Sequence, residues 1–121
     1  MSYKLDFKRN KEMYEKYKEG NLSLEKIGQM YNVSRQQVFM IVKNIEQYKD
    51  YAGFEILYEL AEGKTNLICK IYTTISFILG KEDFTMYDII NIDLWEFSKN
   101  KAVGESTVQL LKEFQEELKK Q

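Results

Sequence analysis

Apolar residues recur at three- and four-residue spacing along most of the chain, and strict alternation is absent; this pattern predicts helices rather than strands. A first helix is predicted from Asp6 to Glu19, with Met13, Tyr14 and Tyr17 along one side and Gly20-Asn21 as its stop. Ser23 is placed to cap a short second helix, Leu24 to about Tyr31, that turns Leu24, Ile27 and Tyr31 inward. Asn32 ends it, because asparagine tolerates the left-handed conformation a tight turn between helices demands. Ser34 and Gln37 have the spacing of a capping box, and a third helix runs from Arg35 towards Tyr48 with Val38, Ile41, Val42 and Ile45 facing inward.

Between Ala52 and Gly80 lie two apolar stretches, "FEILYELAEG" and "TNLICKIYTTISFILG", each closed by a glycine. The second is rich in β-branched residues and fits a strand on propensity alone, but its length and lack of alternation favour a buried helix. Cys69 is expected inside it as a small core residue. Beyond Gly80 the pattern predicts two short helices, a glycine turn and a long final helix. Thr85 with Asp88, and Asp93 with Glu96, are spaced as capping boxes for the short pair. Val108, Leu111, Phe114 and Leu118 form the inward stripe of the last helix, and Glu113, Glu116 and Glu117 an acidic outer face. The expected fold class is all-α: a tri-helical domain at 1–50 packed with a multi-helix segment at 51–121.

Composition narrows the chemistry. At 121 residues, with 44% hydrophobic and 31% charged positions, the chain can bury a modest core without cross-links. One cysteine rules out an internal disulfide, and the absence of histidine removes the usual zinc sets and histidine-based catalysis. Neither a metal nor an organic cofactor is expected, and an enzyme is disfavoured. No stretch approaches the roughly 20 apolar residues of a membrane helix, so a soluble, cytoplasmic protein with no membrane partner is expected. The net charge of -1 conceals an asymmetry. Residues 1–50 carry 10 Lys/Arg against 7 Asp/Glu, and residues 51–121 carry 8 against 12. The two halves are therefore expected to face different partners.

The segment "LSLEKIGQMYNVSRQQVFMIVKNIE", residues 22–46, satisfies the requirements of a helix-turn-helix. Gly28 is small where two helices cross, Asn32 accepts positive φ, and Val33, Val38 and Ile41 lock the second helix at a steep angle. It resembles the helix-turn-helix of sigma-factor region 4 and similar bacterial and phage regulators, in which an IG...(Y/F)(G/N)VSRQxV pattern recurs. The resemblance implies that Ser34, Arg35, Gln36, Phe39, Met40 and Lys43 face DNA. Arg35 would read guanine and Gln36 adenine through paired hydrogen bonds, with Lys43 and Ser23 on phosphates. The chain departs from that pattern at Phe39 and Met40, where the relatives are usually polar or charged. Two accounts stand open: contact with thymine methyl groups in an A·T-rich site, or cover by another protein surface.

Further on, "DLWEFSKNKAVGESTVQLLKEF" resembles a helix-hairpin-helix within 85–120, and the wider segment is similar to the C-terminal domain of the RNA polymerase alpha subunit. The resemblance implies phosphate binding through Gly104, Ser106 and Thr107, with Lys101 as a partner. It is weakened by the single hairpin glycine, by Glu105 beside the anion position, and by missing basic residues after the glycine.

Three function classes follow. The first is a DNA-binding transcription regulator, its basic half on double-stranded DNA and its acidic half forming a homodimer or meeting the transcription machinery. The alternative is an adaptor that holds RNA polymerase or a sigma factor through the sigma-like segment. The weakest is a metal-dependent nuclease built on Glu82, Asp83, Asp88, Asp93 and Glu96, carboxylates that are better explained as helix caps and first-turn charges.

Overall fold

The computed structural model describes residues 3–121, with side chains from residue 8 onward. Among the described residues there are eight helices and no strand. The chain forms two compact units, Met1–Asp50 and Tyr51–Gln121.

The first unit holds α1 (Tyr3–Glu19), α2 (Leu24–Tyr31) and α3 (Arg35–Tyr48), each packed on the other two. Its buried apolar side chains include Met13, Tyr14, Ile27, Val38, Val42, Ile45 and Tyr48. The local stops and starts are those the residues favour. Ser23 Oγ accepts the Lys26 N–H at 3.1 Å, and Ser34 Oγ accepts that of Gln37 at 3.1 Å, each satisfying one of the orphan donors at a helix start. Asn32 closes α2 in the left-handed region, φ 57° and ψ 45°. Tyr17 departs from its expected inward position and lies exposed.

The second unit holds α4 (Phe54–Leu60), α5 (Thr65–Leu79), α6 (Met86–Ile90), α7 (Leu94–Ser98) and α8 (Glu105–Lys119). α8 is its hub, packing against the other four helices. Leu111, Phe114 and Leu118 are buried on it as the apolar stripe requires, joined by Leu110. Aromatic rings fill much of the interior: Tyr72 lies 4.8 Å from Tyr51, 6.1 Å from Phe84 and 6.3 Å from Phe114, centroid to centroid.

Cys69 and Asp93 differ from expectation, and Val108 is only partly buried. Cys69 is exposed rather than a core residue, because α5 buries Ile68, Ile71, Tyr72 and Ile75 and turns the adjoining sector outward. Asp93 caps α7 through the Trp95 N–H at 2.8 Å, without a box to Glu96. Thr85 and Asp88 do form the reciprocal box, at 3.1 and 3.0 Å.

Candidate nucleic-acid interface

Two backbone features set the direction of α3. The first is the α2–α3 crossing. A Cβ on Gly28 would stand 2.5 Å from the Val33 carbonyl oxygen, so only glycine lets the chain turn this closely. The second is Asn32, whose left-handed conformation reverses the chain within a few residues and places Ser34 as the cap of α3. With Val38, Val42 and Ile45 buried, the opposite face of α3 is turned to solvent.

That face carries the residues the sequence singled out. Arg35, Gln36, Phe39, Met40 and Lys43 are all exposed, and their spacing of one, three, one and three residues keeps them on one side of the helix. Ser34 begins the same face and Ser23 begins α2, both exposed. Each serine hydroxyl accepts a backbone N–H and keeps its own proton to donate. Phe39 is 47% and Met40 49% exposed. The Lys43 ammonium sits over the Phe39 ring, 5.7 Å from its centroid.

The electrostatics run along the helix. The first turn of α3 contains no acidic residue, so the partial positive charge of its N-terminus is uncompensated and lies beside Arg35. Towards the other end stands Glu46. The Tyr14 hydroxyl donates a hydrogen bond to its carboxylate, and Lys18 lies 3.9 Å from it. The Tyr14 hydrogen bond, with the nearby Lys18 and Lys49 charges, holds the Glu46 carboxyl below its ordinary range. The anion-attracting part of the face is therefore its N-terminal two-thirds. Lys26 on α2 is exposed as well, next to exposed Glu25, and carried no signal in the sequence beyond its charge. Tyr17, Phe39, Val42, Lys43 and Glu46 line a shallow groove of about 450 Å³ beside the face.

The second candidate, at the turn from α7 to α8, is less complete. Lys101, Gly104 and Ser106 are exposed, and a Cβ on Gly104 would meet nothing within 4 Å. Thr107 leaves the expected set: it is 2% exposed, and its N–H already donates to the Gly104 carbonyl at 3.1 Å. Its backbone N–H is thus engaged and its side chain is turned away from solvent. Gly104 has φ −99° and ψ −179°, extended backbone that any residue adopts, and Glu105 occupies the first turn of α8. An anion there would meet a carboxylate as well as the helix N-terminus.

No family, characterised protein or solved structure is found to match this chain. Of the two candidates, the α3 face combines more exposed polar donors with the more favourable field.

Proposed function

We propose that the protein is a DNA-binding transcription regulator whose α3 lies in the major groove. One observation carries this reading: Ser34, Arg35, Gln36, Phe39, Met40 and Lys43 share an exposed face that begins at a helix N-terminus free of acidic residues. The groove of B-form DNA admits one α-helix, and base edges are met by residues near the start of that helix. Arg35 fits the paired acceptors of guanine, and Gln36 the acceptor and donor of adenine. Phe39 and Met40 are apolar and half exposed, which suits thymine methyl groups and favours an A·T-rich site. Lys43 and Ser23 contact phosphates, and Lys26 joins them. The acidic second unit is repelled by DNA and serves association, either with another copy or with the transcription machinery.

The test is a fluorescence-anisotropy titration of A·T-rich and random duplexes at low and moderate salt, with native protein and an Arg35→Ala, Gln36→Ala double variant. Binding that weakens with salt, prefers certain sequences and disappears in the variant supports the proposal. A native protein that ignores both duplexes at low salt overturns it.

A second reading is favoured by the apolar groove around Tyr17 and Phe39: an adaptor that binds RNA polymerase or a sigma factor through this face. Its affinity would be nearly indifferent to salt, whereas release of counterions makes DNA affinity fall steeply.

A further inference from the structure

The second unit carries an exposed aromatic patch of its own. Phe77 on α5 is 77% exposed and Trp95 on α7 is 69% exposed, and both line one open groove of about 450 Å³. Large apolar side chains that cluster in the open mark a contact surface.

The polar part of the groove consists of Asp93, Glu96, Lys99 and Asn100. Three of these four offer acceptors. Asp93 Oδ1 takes the Trp95 N–H at 2.8 Å, which leaves its second oxygen for a ligand. Neither Asp93 nor Glu96 forms an ion pair among the described residues. Asn100 spends its amide NH₂ on the Glu96 and Phe97 carbonyls, at 3.4 and 3.0 Å, so what it has left to offer is Oδ1. Lys99 supplies the donor, and it lies over the Trp95 ring, 5.3 Å from its centroid, rather than on either carboxylate.

The field has one sign. Asp93 and Glu96 against Lys99 leave the groove one charge negative. α5 ends here in Phe77 and Ile78 with no basic residue in its last turn, so the partial negative charge of its C-terminus adds to the pair. Lys81, the next cation along the chain, is engaged with Asp88 at 3.3 Å. The unit as a whole carries 8 Lys/Arg against 12 Asp/Glu. A polyanion is opposed by this field, and a purely apolar partner would cover both carboxylates without pairing them. A basic partner meets every demand. The guanidinium of arginine presents five donors and no acceptor, pairs with carboxylates through a planar fork, and stacks on an indole face.

We infer that the Phe77–Trp95 groove docks a basic segment of another protein, with an arginine on Asp93, Glu96 and the Trp95 ring and an apolar neighbour on Phe77. This deepens the associating role given to the second unit, and rests on it.

Trp95 is the only tryptophan of the chain, so its fluorescence reports on the groove. The experiment titrates the full chain, without DNA, with a short synthetic peptide of arginines and leucines at helical spacing. The control is the same peptide with glutamate in place of arginine. Because DNA is absent, the result is separate from whether α3 binds a duplex. The arginine peptide should shift Trp95 emission saturably, with a dissociation constant under about 1 mM that rises with salt. The glutamate peptide should leave the emission unchanged. Asp93→Asn keeps a capping oxygen and Glu96→Gln keeps the side-chain shape. Together they should leave the thermal melt in place and weaken peptide binding at least about fivefold. Lys99→Ala removes the resident cation and should tighten binding about threefold. Three results overturn the inference: no shift up to about 1 mM peptide, an equal response to the glutamate peptide, or binding indifferent to Asp93→Asn with Glu96→Gln. A Trp95 shift that grows with protein concentration in the absence of peptide overturns it too, and assigns the groove to a second copy.

Discussion

The Val33 carbonyl oxygen lies 2.5 Å from the position a Cβ on Gly28 would occupy. The obstacle is backbone, so it cannot swing aside, and the Val33 N–H is itself bonded to the Gly28 carbonyl at 2.9 Å. Gly28→Ala should destabilise the first unit by about 2 kcal/mol, the overpacking cost exceeding the roughly 1 kcal/mol helix preference of alanine. Urea titration followed by far-UV circular dichroism measures the loss. Hydrogen exchange should show it confined to residues 1–50.

Asn32 holds φ 57° at the end of α2. Asn32→Ala should cost about 1 kcal/mol, because alanine resists the left-handed region. Asn32→Gly should stay within about 0.5 kcal/mol of the native chain, since glycine enters that region freely. Thermal melts of the two variants should separate accordingly. Equal melts would show that the turn does not constrain the unit.

Gln115 is buried on α8, and its Nε2 donates to the Ile89 carbonyl at 2.9 Å and the Ile92 carbonyl at 3.0 Å. It ties the turn between α6 and α7 to the hub helix. Gln115→Leu leaves the Ile92 carbonyl without this donor and should cost about 2 kcal/mol. Faster amide exchange should appear in residues 89–94 and be read by mass spectrometry.

Asp88 accepts the Thr85 N–H and pairs with Lys81 at 3.3 Å. The Thr85 backbone hydrogen bond, aided by Lys81, holds its carboxyl below the ordinary range. A lowered folded-state value means that the stabilisation is present above the ordinary aspartate value of about 4 and is lost as pH falls through the folded-state value. Melting temperature should therefore drop on acidification, and Asp88→Asn should flatten that part of the profile. A variant with an unchanged acid limb would remove Asp88 from the account.

Lys43 is exposed on the α3 face and is proposed to meet a phosphate. If it does, Lys43→Ala should weaken binding to every duplex alike and reduce the slope of log affinity against log salt by about 1. Arg35→Ala should instead relax the preference between sequences. Anisotropy titrations at several salt concentrations distinguish the two effects.

The sequence by itself determined that the chain is helical and where most helices start and stop, because those properties are local. Periodicity marked the helices, the Ser23, Ser34 and Thr85 hydroxyls each cap their own first turn, and Asn32 and Gly28 shape a turn a few residues long. The exposed face of α3 was equally legible, since Val38, Val42 and Ile45 claim the inner side and leave Arg35, Gln36, Phe39, Met40 and Lys43 outside. What only the tertiary structure decided is how wide a sector of each helix its neighbours cover. A 3.6-residue repeat orders side chains around an axis but does not say where the next helix lies across it. Tyr17 and Cys69 thus face solvent although their patterns suited a core, while Thr107 and Gln115 are buried although their chemistry suited a surface. For the same reason Phe77 and Trp95 come to share a groove: they lie on separate helices, brought together by the packing of α5 on α7.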